Sequence, residues 1–123
     1  TALPASGTAA AASAGIDLGV GVRGIVPGDM ELLIEAPALT TGELADAATV
    51  VYSLYHDTAS NFGTEVLLFD RLIVQTGADS AGAAAAEKRI RLPADTNRYI
   101  RAKATPSAST DKSAKSFTIS LLF

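Results

Sequence analysis

Apolar side chains recur along this chain in short alternating blocks rather than at helical spacing. In residues 30–36, Met30, Leu32, Ile34 and Ala36 share one face and Glu31, Leu33 and Glu35 the other, the pattern of a half-buried outer-layer strand. Pro27-Gly28 and Pro37 bound it. Residues 50–56 (VVYSLYH) are rich in β-branched and aromatic side chains, and neither face is fully polar, which predicts a central or covered strand. Residues 65–76 (EVLLFDRLIVQT) are apolar around the whole circumference except at Asp70 and Arg71. Periodicity does not separate a helix from two short strands joined by a bend there, and Ile73, Val74 and Thr76 favour strands. Residues 88–92 direct Ile90 and Leu92 inward and Arg89 and Arg91 outward, and residues 98–105 set Ile100, Ala102 and Ala104 against Tyr99, Arg101 and Lys103. The PADTN segment between them is turn chemistry, so these two strands are expected to form a hairpin. Residues 116–123 alternate Phe117, Ile119, Leu121 and Phe123 with Thr118, Ser120 and Leu122.

With residues 16–22 as an opening strand, seven or eight strands and no long helix are expected. This predicts an all-β antiparallel β-sandwich, or jelly roll, of about eight strands. Residues 1–15 (TALPASGTAAAASAG) lack an apolar stripe and are broken by Pro4, Gly7 and Gly15, so they read as an extended small-residue arm ahead of a single domain over residues 16–123. Residues 77–86 (GADSAGAAAA) read as a loop with a helical turn at 83–86. At 123 residues the chain supports one modest core. Much of its apolar content is alanine, which keeps that core small.

Charge changes the picture. Residues 1–70 carry nine acids against Arg23 alone, whereas residues 71–123 carry nine bases against four acids, so halves of −8 and +5 sum to −3. Either the halves interleave and pair across neighbouring strands, or opposite charges lie on different faces and drive assembly by complementarity. Nucleic acid is a poor partner for a chain of negative net charge whose bases are not interleaved with stacking aromatics. A membrane is not expected as a partner, because no apolar run reaches the roughly 20 residues of a spanning helix. The N-terminus also lacks signal-peptide character, so the chain is expected to be soluble and unprocessed.

Candidate chemistry is sparse. Cysteine is absent, which excludes disulfides, thiolate zinc sites and a cysteine nucleophile. His56 is the one histidine, and beside Asp57 at a strand end it is expected to be structural; a cupin-type metal centre needs several. Glu31 and Glu35 share a strand face, whereas glycosidase carboxylates oppose each other across a cleft. Gly15, Gly19, Gly21 and Gly24 match neither a phosphate loop nor a dinucleotide fingerprint. No catalytic residue, cofactor or metal is therefore expected.

Several segments carry a family resemblance: 13–19 (SAGIDLG), MELLIEA, VVYSLYHDTASNFG, LPADTNRYIRAKAT and the terminal SFTISLLF. Across residues 13–123 they resemble the jelly-roll cement, or head decoration, proteins of tailed bacteriophages. The matching points are Ile16 to Gly19, Leu92-Pro93 and Arg98-Tyr99. The resemblance implies a non-enzymatic virion protein on the outer surface of an icosahedral head, assembled in the host cytoplasm. Its partners would be the major capsid protein and copies of itself, as a dimer or trimer on the lattice, with affinity built from many weak contacts. The expected contact residues are Thr1, Leu3 and Pro4 in the arm and Arg89, Arg91, Arg98, Tyr99, Arg101 and Lys103 in the basic hairpin. Deleting residues 1–14 is expected to leave a folded protein with weaker capsid occupancy. The competing expectation is a carbohydrate- or receptor-binding module of a tail or fibre, using Tyr52, Tyr55 and Tyr99.

Overall fold

A computed structural model describes residues 1–3, 10–18, 31–93, 96–107, 112 and 114–122. They form β1 (Ala11–Ala12), β2 (Ile16–Asp17), β3 (Glu31–Ala36), β4 (Thr49–Asp57), β5 (Val66–Thr76), β6 (Ala86–Arg91), β7 (Tyr99–Pro106) and β8 (Thr118–Leu122), with no helix among the described residues. The eight strands build two antiparallel sheets, consistent with a β-sandwich. One runs β1-β7-β4-β5 with β2 also on β7, and the other runs β6-β3-β8.

The core follows from alternation. Leu32 and Ile34 of β3, Val50, Tyr52 and Leu54 of β4, and Ile100, Ala102 and Ala104 of β7 are fully buried. Burying each of the large aliphatic side chains stabilises the fold by roughly 1.5–3 kcal/mol. Tyr52 meets Phe117 edge to face at 5.6 Å. Its hydroxyl donates to Gln75 Oε1 at 2.7 Å, and Gln75 Nε2 donates to the carbonyls of Pro37 and Ala84. A buried phenol needs such a partner, and burial pushes its pKa well above the ordinary value.

β4 is central, as its composition predicts, with β7 on one side and β5 on the other. Residues 65–76 form neither a helix nor two strands. They make one long strand whose register against β4 shifts between Tyr52 and Leu54 and again between Leu54 and Tyr55, with Arg71 at φ 55°. The expected strand over 16–22 is seen as Ile16–Asp17, and residues 19–22 and Met30 lie outside the described residues. No helical turn forms at 83–86. Ala83 bridges Leu39 with reciprocal backbone bonds of 2.8 and 2.9 Å, which draws the chain into extended geometry before β6.

The expected hairpin of residues 88–92 and 98–105 is not formed. β6 pairs with β3 and β7 pairs with β4, so the connection crosses from one sheet to the other. Turn chemistry marks a change of direction and does not name the pairing partner. Leu92, 3% exposed, and the fully buried Thr96 anchor the crossing, with Thr96 Oγ1 donating to the Pro93 carbonyl at 2.7 Å.

The described part of residues 1–15 is extended but lies on the chain's own sheets. Ala11 and Ala12 pair with Ala104 and Lys103, Ser13 exchanges bonds with the backbone of Ala102, and Ala2 bridges Ser116. Leu3 is 2% exposed and belongs to the main core cluster. Leu3→Ala should therefore cost about 2–5 kcal/mol of stability in urea denaturation. Removal of residues 1–14 should damage the fold as well as any contact. Tyr52→Phe, which strands the buried Gln75 Oε1, should cost about 1–3 kcal/mol in the same assay. A value near zero would show that Gln75 finds another donor.

Candidate interaction surface

Alternation on β4 that buries Val50, Tyr52 and Leu54 sends Val51, Ser53, Tyr55 and Asp57 to the outer face of the larger sheet. Register places Thr105, Lys103, Arg101 and Tyr99 of β7 beside them. The basic residues of β7 and Arg98 just before it are engaged within the chain. Arg98 makes a two-pronged pair with Asp17 at 2.7 and 2.9 Å and lies over the Tyr99 ring. Arg101 donates to Glu65 at 2.8 Å and covers Phe62 at 4.5 Å, and Lys103 bonds the other Glu65 oxygen and covers Tyr55 at 4.7 Å. Hydrogen bonding from Arg101 leads the effects that hold the Glu65 carboxyl below its usual range, and Asp17 raises the Arg98 pKa.

Asp57 organises the loop that covers one end of this face. Its carboxylate accepts from the backbone N–H groups of Ala59 at 3.1 Å and Thr64 at 2.8 Å, and from the Thr64 hydroxyl. These bonds, Ala59 first, lower its pKa. The loop delivers Phe62, at φ 53°, between Arg101 and Gly15. A Cβ at Gly15 would lie 2.7 Å from the Phe62 ring, so a larger residue there would make the ring shift.

The residues expected to make contacts are dispersed by the fold. Arg89 and Arg91 are exposed on β6, opposite Leu33 and Glu31 on the outer face of the smaller sheet. Arg98, Tyr99, Arg101 and Lys103 lie on the far side of the sandwich. Thr1 is exposed and its carbonyl accepts from Phe117 N, Leu3 is buried, and Pro4 lies outside the described residues. Every ion pair between described residues joins an acid of residues 1–70 to a base of residues 71–123, so the two halves interleave and pair.

His56, near the end of β4, is 8% exposed, and its Nδ1 accepts the Asn97 backbone N–H at 3.0 Å. Glu31 and Glu35 share the outer face of β3. Glu35 stands opposite Glu87 beside a shallow cleft of about 310 Å³ lined also by Ala36, Ala85 and Ala86. Among the described residues, no group of three or more His, Asp or Glu side chains is arranged to hold a metal ion.

One surface escaped the sequence argument. Among the described residues, the exposed large hydrophobic side chains are Val66, Leu67 and Val74, all on β5, at 55%, 45% and 38%. Their signal was the all-round apolarity of residues 65–76. A strand apolar on every side that ends at a sheet edge must present some of that surface to solvent. Compared with family models, curated proteins and solved structures, the chain matches none.

Folding lowers the Asp57 and Glu65 pKa values, so in acid the unfolded chain binds more protons than the folded one. Their stabilisation is complete above the ordinary carboxylate pKa of about 4 and is lost as pH falls through the lowered values. The urea midpoint should accordingly drop on acidification below about pH 4. Asp57→Asn should lower the midpoint at neutral pH and flatten this acid slope. An unchanged slope would assign the acid sensitivity to other carboxylates.

Proposed function

We propose that this chain is a structural virion protein, a cement or decoration protein of jelly-roll type. It binds the outer surface of an icosahedral phage head in many copies and bridges major capsid proteins. The observation that carries this reading is the joining of two segments of the resemblance that are about 80 residues apart in the chain. SAGIDL and RYIRAK meet as β2 and the start of β7, with Ile16 opposite Ile100, Asp17 opposite Tyr99, and the Asp17–Arg98 pair fastening the junction. The pairing pattern adds support. β3 pairs with β8 inside which β4 pairs with β7, a nested order like that of a wrapped hairpin.

The tyrosines favour this reading over a glycan-binding module. Tyr52 is fully buried, Tyr55 lies under Lys103 and Tyr99 under Arg98, which leaves their rings poorly placed to stack on a sugar. On a lattice, weak contacts suffice because each raises the effective concentration for the next.

Co-sedimentation with expanded, undecorated heads, with unexpanded procapsids as comparison, tests the proposal. Saturable, stoichiometric binding to expanded heads is expected. Salt should weaken it only moderately, since the β7 bases are already paired, and a steep salt dependence would direct attention to Arg89 and Arg91. Failure to bind either particle would overturn the reading.

A further inference from the structure

We propose that β5 is a self-association surface, meeting the β5 of a second copy across a two-fold axis that passes between Asp70 and Arg71. This rests on the proposed reading of a protein that binds in many copies and names the surface by which two copies would meet.

Three observations carry it. First, among the described residues the exposed large hydrophobic side chains are confined to this strand, which ends its sheet with no described strand on its free side. Leu67 and Val74 stand toward its two ends with the exposed Asp70 and Arg71 between them, so exposed apolar side chains flank a charged centre. Second, the two register shifts bring Leu67 opposite Tyr55 and Val74 opposite Val51. Both therefore stand on the outer face, although a regular strand would turn residues at an odd spacing to opposite faces. Asp70 joins them there, its carboxylate accepting from Ser53 Oγ at 3.1 Å. Third, the arrangement is self-complementary. Leu67 precedes Asp70 by as many residues as Val74 follows Arg71, so a two-fold axis between Asp70 and Arg71 sets Leu67 against Val74 of the second copy and Asp70 against its Arg71.

Both charges are exposed, and Arg71 makes no ion pair with a described residue. An isologous interface requires this reciprocity. A regular ladder cannot be centred between two successive residues, because their side chains alternate. The bulged strand also resists edge-to-edge pairing. The contact is therefore made by side chains, with charge setting the register and the apolar residues supplying burial.

Sedimentation velocity of the purified chain over a concentration series should show a reversible dimer. Arg71→Asp alone and Asp70→Arg alone each create two like-charge contacts and should weaken it by about tenfold or more. The double swap Asp70→Arg/Arg71→Asp should restore it. Circular dichroism of each variant checks the fold. Because the chain has no cysteine, an oxidised mixture of the Leu67→Cys and Val74→Cys variants should form a disulfide-linked heterodimer in preference to either homodimer. A monomer at every concentration, or a folded Arg71→Asp variant that dimerises undiminished, would overturn the proposal. Head binding by a monomer would sink this interface alone, whereas a β5 dimer that ignores heads would sink the decoration reading alone.

Discussion

The sandwich depends on keeping the inner face of β4 dry while both of its edges are hydrogen-bonded. Val50, Tyr52 and Leu54 sit at the centre of the larger sheet, and the single polar atom among these side chains is the Tyr52 hydroxyl. Satisfying it requires Gln75, and Gln75 in turn holds the backbone after β3 and before β6. One buried phenol thus ties the two sheets together at their connections. An unsatisfied polar group at that depth would cost more than the bond contributes when made.

The outer face of the same strand governs the surface. Ser53 bonds both Asp70 and the Arg71 backbone N–H, holding the bulged middle of β5, and Asp57 gathers the loop that carries Phe62. The β7 bases are consumed by Asp17 and Glu65 and by the rings beneath them. The exposed Asp17–Arg98 pair contributes little to stability by itself, whereas the Glu65 pairs are partly buried. The larger consequence of these pairs is to neutralise one sheet face, which among the described residues leaves β5 as the exposed apolar strand, with Arg89 and Arg91 exposed on the opposite side.

The strands and their inward faces were legible in the chain because alternation is a local property. Ile34 and Leu32 against Glu35, or Ala102 and Ala104 against Lys103, are sorted by the two-residue period alone. The central place of β4 was legible from its composition, and the strand-end position of His56 from the apolar run that precedes it. Residues 1–15 were harder. Alanine, serine and glycine give no burial signal, yet Ala11 and Ala12 pair with β7, and Leu3 enters the core beside a segment more than 100 residues away.

The sequence by itself determined an all-β chain, the inner and outer set of most strands, and the opposite charges of its two halves. Tertiary structure alone decided which strand pairs with which. It sent β6 and β7 to different sheets and so divided the basic residues between two faces. It also decided that an apolar strand with Asp70 and Arg71 at its middle would end a sheet. The physical reason is that side-chain alternation and turn chemistry act over a few residues, whereas pairing partners and sheet edges are set by how distant segments close a common core.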